Sequence, residues 1–99
     1  MNIEKNYTQK ELTIHVWDRV DTVTAPDFQN VIMDEIGNFD SLILDFKDLE
    51  YISSAGLRVL VLTQKKLKPD NIPFTIINVN DTIKEIFTMS GFDKILDIK

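Results

Sequence analysis

The spacing of the apolar residues switches between the period of a strand and that of a helix, and this alternation constrains the fold most. Residues 11–17 alternate between apolar and polar side chains, which indicates a strand with one exposed face. Residues 41–46 form a short, nearly continuous apolar run, which is typical of a strand covered on both faces, and residues 74–79 are a candidate for a third central strand. Three strands are therefore predicted, and the N-terminal residues either add a short edge strand or fray.

Helical spacing predicts a first helix between the first two of these strands, over residues 25–36. Thr24 can cap its free amides, Pro26 fits its first turn, and Gly37 ends it. With an N-terminal edge strand included, the order of elements is strand, strand, helix, strand, helix, strand, helix. This order predicts an α/β fold in which the helices pack against a mixed sheet.

Two more helices follow the same spacing. The second begins after the serine pair at Ser53 and runs to about Lys68, and the third begins at Asn80 or Asp81 and ends at Gly91. The positions of the second helix predicted to face inward are Leu57, Leu60, Val61 and Leu67. Residues 92–98 fit a strand or a helix equally well.

The composition excludes several classes of function. With no cysteine and one histidine, thiolate zinc sites, iron–sulfur clusters, cysteine nucleophiles and two-histidine metal sites are ruled out. The net charge of −5 argues against the basic surface that nucleic-acid binding requires. The apolar runs fall far short of the about 20 residues that insert into a membrane. The N-terminus lacks the pattern of an export signal, so the cytoplasm is expected.

Acidic residues and the histidine gather near two predicted loops, residues 18–24 and 47–54. The candidates for acid–base or metal chemistry are His15, Asp18, Asp21, Asp45, Asp48 and Glu50. Because nothing fixes their separations, we favour a partly exposed sheet histidine and a solvated acidic rim. A small acid–base enzyme built on Asp21, Asp45 and His15 is the least favoured hypothesis. No glycine-rich nucleotide-binding motif is present, so we expect a binding protein without metal or cofactor rather than an enzyme.

Two adjacent serines stand where the strand region gives way to the second helix. Ser53 can cap the helix through its hydroxyl, and capping is the simpler interpretation of the pair. Ser54 would then lie in the first turn, near the free amides and the positive end of the helix dipole, which suits an added phosphate. Gly56 would leave room for another surface to approach, and Arg58, four residues after Ser54, can reach the same phosphate.

Two parts of the sequence together resemble a known family. The first runs from Leu44 to Leu60 and contains Ser-Ser-Ala-Gly-Leu, and the second is Asp21 followed by Thr24 just before the first helix. Both resemble the STAS domain of the bacterial anti-sigma factor antagonists, and the resemblance extends over nearly the whole chain. It implies a single STAS domain over residues 1–99, with a mixed sheet of four to five strands packed with three or more helices.

The resemblance implies a switch between protein partners. Members of the family bind an anti-sigma factor that is also a serine kinase, and so release sigma factor. The kinase phosphorylates one serine at the start of the second helix, which breaks the complex, and a PP2C-type phosphatase restores it. Aligned on the Gly-Leu pair, that serine is Ser54. The implied partner-binding residues are Asp21, Thr24, Ser54, Gly56, Leu57 and Arg58.

Two positions depart from the family pattern and bear on the identity of the partner. Ser53 stands where the family often has aspartate, and Asp18 stands where a glycine is common. Neither change removes Ser54. An alternative is a STAS-type docking subunit of a lipid or anion transport complex without a phosphorylation switch. Capture of an ATPase or permease, rather than a kinase, would distinguish this alternative.

Overall fold

A computed structural model describes all 99 residues and contains six strands and three α-helices, which confirms the predicted α/β fold class. The strands are β1 (Asn2–Thr8), β2 (Glu11–Val20), β3 (Ser41–Asp45), β4 (Leu49–Ile52), β5 (Phe74–Ile77) and β6 (Asp97–Ile98). The helices are α1 (Ala25–Glu35), α2 (Ser54–Leu67) and α3 (Asp81–Ser90). Short 3₁₀ turns follow α2 and α3, at Lys68–Asp70 and Phe92–Lys94.

The strands form one mixed sheet in the order β1-β2-β3-β5-β6. β1 pairs antiparallel with β2, and all other pairings are parallel. β2 pairs with β3 through residues 11–15 and with β4 through residues 18–20. A register shift between Asp18 and Arg19 separates the two pairings, and Asp18 there has a φ of 76°. An irregularity of this kind bends a strand. Beyond the bend β2 pairs with β4, and because α2 follows β4 in the chain, the start of α2 lies beside the end of β2.

The two loops predicted at this edge are shorter than expected. Residues 18–20 continue β2, and residues 49–52 form β4, so the connections shrink to residues 21–24 and 46–48. In β4 only the two end residues are buried, whereas Glu50 and Tyr51 are exposed. With no alternation of apolar and polar residues, β4 carried no strand pattern in the sequence.

The helices cover one face of the sheet. Burial alternates along β2, where Leu12, Ile14 and Val16 are fully buried and the intervening residues are half-buried. β3 and β5 alternate in the same way, and Ile43 and Ile77 on the opposite face are only half-buried. The prediction that β3 is covered on both faces is therefore wrong. Buried residues of all three helices join the sheet in one core cluster.

The helix ends follow the predicted chemistry in α3. Asn80 Oδ1 accepts a hydrogen bond from Ile83 N at 2.9 Å, so Asn80 and not Asp81 is the cap, and Gly91 ends the helix with a φ of 77°. In α2 the predicted inward Val61 is only half-buried, and Val59 is buried instead. None of the helices is both long and apolar enough to span a membrane.

Candidate functional site

The candidate site lies where two parallel strands end side by side. β2 ends at Val20 and β4 ends at Ile52, and Ser53 N donates a hydrogen bond to the carbonyl oxygen of Val20 at 2.8 Å. This bond continues the pairing of the two strands by one residue. The turn that follows β2 and the first turn of α2 therefore meet at one edge of the sheet, as the sequence predicts for loops after parallel strands.

The two serines of the site have different environments. Ser53 is 8% exposed, has extended backbone angles, and its Oγ accepts a hydrogen bond from Gly56 N at 3.3 Å. It is therefore the N-cap of α2, as expected. Ser54 is the first residue of α2 and its side chain is exposed. Of the two serines, only Ser54 is exposed.

Gly56 is enclosed by the chain's own sheet. A β-carbon at this position would lie 2.6 Å from Ile52 Cγ1 and 2.9 Å from Val20 Cγ1. The expectation that Gly56 leaves room for an external surface is wrong, because the space is filled from inside the molecule. Leu57 is 5% exposed and belongs to the core. Neither Gly56 nor Leu57 therefore exposes a side chain to a partner. Both residues hold the first turn of α2 against the ends of β2 and β4.

Asp21 and Thr24 form a closed turn. Asp21 Oδ1 accepts hydrogen bonds from Thr24 N and Val23 N, both at 3.0 Å, and Thr24 Oγ1 accepts one from Asp21 N at 2.9 Å. The prediction that Thr24 caps α1 is wrong, because its hydroxyl faces back into this turn and makes no cap bond. What it does instead is fix the carboxylate of Asp21 next to the start of α1.

The hydrogen bonds of this turn also affect the charge of Asp21. The hydrogen bond from the backbone N–H of Thr24 is the largest of the effects that lower the pKa of Asp21 below its usual value. Partial burial, the second-largest effect, opposes it, and the hydroxyl of Thr24 and the backbone N–H of Val23 lower the pKa further. Arg19 adds a further lowering, with its Nε 3.4 Å from Asp21 Oδ2. Asp21 therefore holds a negative charge beside the first turn of α2 at neutral pH.

A groove between α1 and α2 opens next to the site. Its volume is about 450 Å³, and its lining includes Thr22, Pro26, Gln29, Ala55, Arg58 and Leu62. Arg58 is exposed and lies one helical turn after Ser54. No pattern in the sequence predicts the groove, because its two walls come from separate helices. Leu62, which is 41% exposed, was not among the predicted site residues either.

The residues considered for acid–base chemistry come together only in part: His15 lies opposite Asp45 in the pairing of β2 with β3, and Asp18, Asp48 and Glu50 line one surface pocket. His15 Nε2 lies 3.1 Å from Asp48 Oδ2, and Asp45 Oδ1 accepts hydrogen bonds from Lys47 N and from Asn78 Nδ2, each at 3.0 Å. Asp21 is held separately in its own turn. No group of three or more histidine, aspartate or glutamate side chains has a metal-binding arrangement. The chain's one tryptophan, Trp17, packs against His15, with ring centroids 4.9 Å apart.

Comparison with known proteins agrees with the fold and the sequence pattern. The model of the STAS domain family matches residues 2–99. A 57-residue segment is 37% identical to the protein BtrV of Bordetella bronchiseptica and covers 58% of this chain but only 49% of that one. The anti-sigma-B factor antagonist of Bacillus subtilis is 22% identical over 99% of this chain and 90% of its own length.

A solved structure shows the same architecture. The crystal structure of an anti-sigma factor antagonist from Mycobacterium paratuberculosis superposes with a TM-score of 0.89 at 21% identity, over 98% of this chain and 83% of that one. The family model matches nearly the whole chain, and the mixed sheet and the serine pair at the start of α2 agree with it: the chain belongs to the STAS domain family.

Proposed function

We propose that the chain is an anti-sigma factor antagonist that binds an anti-sigma factor serine kinase and is switched off by phosphorylation of Ser54. A PP2C-type phosphatase would restore binding. The observation that carries this proposal is that the two serines have different positions in the structure. Ser53 caps α2 from a buried position, and Ser54 presents its hydroxyl on the first turn. Modification of Ser54 would leave the cap intact.

The proposal is supported by what a phosphate would meet at this position. A phosphoserine carries about −1.5 to −2 charges at neutral pH. The N-terminus of α2 tolerates such an anion, because its free amides and helix dipole are positive. The folded domain would therefore accept the modification, and the phosphate would lower the affinity for the partner rather than the stability of the fold.

Two charges determine how a partner would respond. A phosphate buried at a protein interface loses its hydration, and together with Asp21, held ionised in the neighbouring turn, it would place a larger negative charge against the partner. Each tenfold loss of affinity requires only about 1.4 kcal/mol. One phosphate is thus sufficient to separate the complex. We assign partner contact to the accessible residues Asp21, Thr24, Ser54 and Arg58, and positioning to Gly56 and Leu57.

The kinase would supply ATP and metal, so the chain itself would act as a binding protein and not as an enzyme. Because the cycle requires ATP, the chain would act in the cytoplasm. The test is incubation of the purified chain with the anti-sigma factor serine kinase of the same organism and ATP, followed by mass spectrometry. We expect one phosphate on Ser54 in the wild type and in Ser53→Ala. Modification of Ser54→Ala to the wild-type extent would refute the site.

Affinity for the kinase tests the switch itself. Ser54→Asp should weaken binding, and Thr82→Asp provides the matched control, because Thr82 is an exposed residue in the first turn of α3. Both variants place one carboxylate at a helix N-terminus, so only the location differs. Equal affinity of both variants and the wild type would contradict the switch. Binding of a permease or transport ATPase instead of a kinase would favour the docking-subunit alternative.

A further inference from the structure

The charge of α2 is opposite to that of the chain. The chain carries a net charge of −5, but α2 contains no acidic residue and three basic ones, Arg58, Lys65 and Lys66. All three are exposed. None takes part in the five ion pairs of the structure, which involve other basic groups. The outer face of α2 is therefore an unpaired cationic surface on an acidic protein.

Three residues of this face form a ridge. Arg58, Leu62 and Lys65 are spaced by four and three residues, so their side chains lie on the same side of the helix. The ridge separates the groove with α1 from a second groove of about 250 Å³, which Val61 and Phe92 also line. Arg58 and Leu62 border both grooves. We call this surface the α2 ridge.

We propose that the α2 ridge docks an acidic amphipathic segment of the protein partner, with an apolar side chain packed against Leu62 and carboxylates paired with Arg58 and Lys65. The identity of that partner as an anti-sigma factor serine kinase rests on the proposed function. The argument is charge complementarity: two unpaired cations flank an apolar residue that is 41% exposed. Complementary charges of this kind set the register of a complex and accelerate its formation.

Nucleic acid and membranes fit this surface less well than an acidic protein segment. Duplex DNA carries one charge per about 1.7 Å along its axis, and proteins that bind it neutralise about 6–10 phosphates with lysines and arginines, more than the three cations of α2 can supply. Anionic membranes are recognised by clusters of about 4–8 basic residues beside an apolar face. Here one exposed leucine and three cations lie on a chain of net charge −5, which repels both polyanions at longer range.

The α2 ridge also continues the row that begins with Ser54. Ser54 precedes Arg58 by four residues, and such pairs are neighbours on a helix surface. A phosphate on Ser54 would accept charge-assisted hydrogen bonds from the Arg58 guanidinium. Arg58 would then no longer be available to pair with the carboxylates of the partner. Phosphorylation would thus remove a docking contact in addition to placing a dianion at the interface.

The test compares charge reversals with a matched control in binding to the anti-sigma factor serine kinase. Arg58→Glu and Lys65→Glu alter the α2 ridge, and Lys84→Glu changes the net charge equally at an exposed position of α3. We expect each ridge variant to lose about tenfold or more in affinity, which corresponds to about 1.4 kcal/mol, and Lys84→Glu to lose less than about twofold. Equal affinities of all three variants would overturn the inference and remove Arg58 from the partner-contact residues, while leaving the proposed switch at Ser54 intact.

A second measurement needs no kinase. A synthetic helical peptide with glutamates flanking a leucine on one face is titrated into the ¹⁵N-labelled full chain, with lysines replacing the glutamates in a control peptide. We expect shifts at Leu62 and its neighbours with the acidic peptide alone. Equal shifts with both peptides, or binding of phosphatidylserine vesicles in preference to the acidic peptide, would overturn the inference. Failure of the kinase to bind the wild-type chain would instead refute the proposed function.

Discussion

Gly56 lies so close to Ile52 that a β-carbon on the glycine would be 2.6 Å from Ile52 Cγ1. Val20 Cγ1 closes the same space from β2, at 2.9 Å. These contacts hold the first turn of α2 directly against the ends of the two strands that form the site. The glycine therefore determines where the hydroxyl of Ser54 is presented.

Replacement of Gly56 by alanine should destabilise the fold. Alanine gains about 1 kcal/mol of helix propensity over glycine, but inserting a carbon into a filled core costs about 1–3 kcal/mol. Because the nearest atom, Ile52 Cγ1, is not the flexible end of its side chain, the cost should lie in the upper part of this range, at about 2–3 kcal/mol. We therefore expect a net loss of about 1–2 kcal/mol in the free energy of unfolding. Urea denaturation measures it, and a variant as stable as the wild type would show that α2 can move away without cost.

The two serines should separate stability from modification. Ser53→Ala removes the cap of α2 and should cost about 1 kcal/mol. Ser54→Ala changes an exposed side chain and should alter the free energy of unfolding by less than about 0.5 kcal/mol. Urea denaturation of the unphosphorylated variants measures both changes in the free energy of unfolding. Equal losses in the two variants would contradict the assignment of Ser53 as the cap.

The order of strands and helices could be predicted from the sequence because each predicted element presents a periodic apolar pattern. β4 lacks one, since only Leu49 and Ile52 of its four residues are buried. Its identity as a strand depends on the bent end of β2, which is distant in the sequence. Local pattern could not have revealed this pairing.

The candidate site could be located from the sequence, but the roles of its residues could not all be assigned. Ser53 followed the capping rule because a cap bond joins residues close in the chain. Gly56 and Thr24 did not follow expectation, because their contacts depend on the packing of Val20 and on the alternative bonds available in the Asp21 turn. Contacts between distant segments and competition between nearby polar groups are both decided by the folded structure.

Tyr7 and Glu35 join β1 to α1 and should make stability depend on pH. Tyr7 Oη donates a hydrogen bond to Glu35 Oε1 at 2.6 Å, and Lys5 Nζ donates one to Glu35 Oε2 at 3.2 Å. Burial of the tyrosine, followed by the hydrogen bond and charge of Glu35, raises the pKa of Tyr7 to about 12. The hydrogen bonds from Tyr7 and then Lys5 lower the pKa of Glu35.

The raised pKa of Tyr7 determines the direction in which stability changes with pH. Because the folded pKa exceeds the unfolded value of about 10, the associated stability is complete below pH 10 and is lost as the pH rises toward 12. Glu35→Gln should lower the pKa of Tyr7 toward 10.0, though only in part, since burial is the largest cause. NMR titration of the tyrosine Cζ signals measures the change. An unchanged inflection in Glu35→Gln would remove Glu35 as a cause.

Asn80 connects α3 to β4 and thereby supports the strand that leads into the site. Its Oδ1 accepts from Ile83 N at 2.9 Å, and its Nδ2 donates to the carbonyl oxygen of Leu49 at 2.7 Å. Asn80→Ala loses both bonds and should cost about 2–3 kcal/mol, because a cap and a partly buried carbonyl partner are removed together. Asn80→Ser retains the cap but not the donor to Leu49, so it should lose about 1 kcal/mol. Equal free energies of unfolding for Asn80→Ser and the wild type would show that the link to β4 contributes nothing. An intermediate value, combined with faster amide exchange in β4, would show that α3 holds the strand on which Ser53 and Ser54 depend.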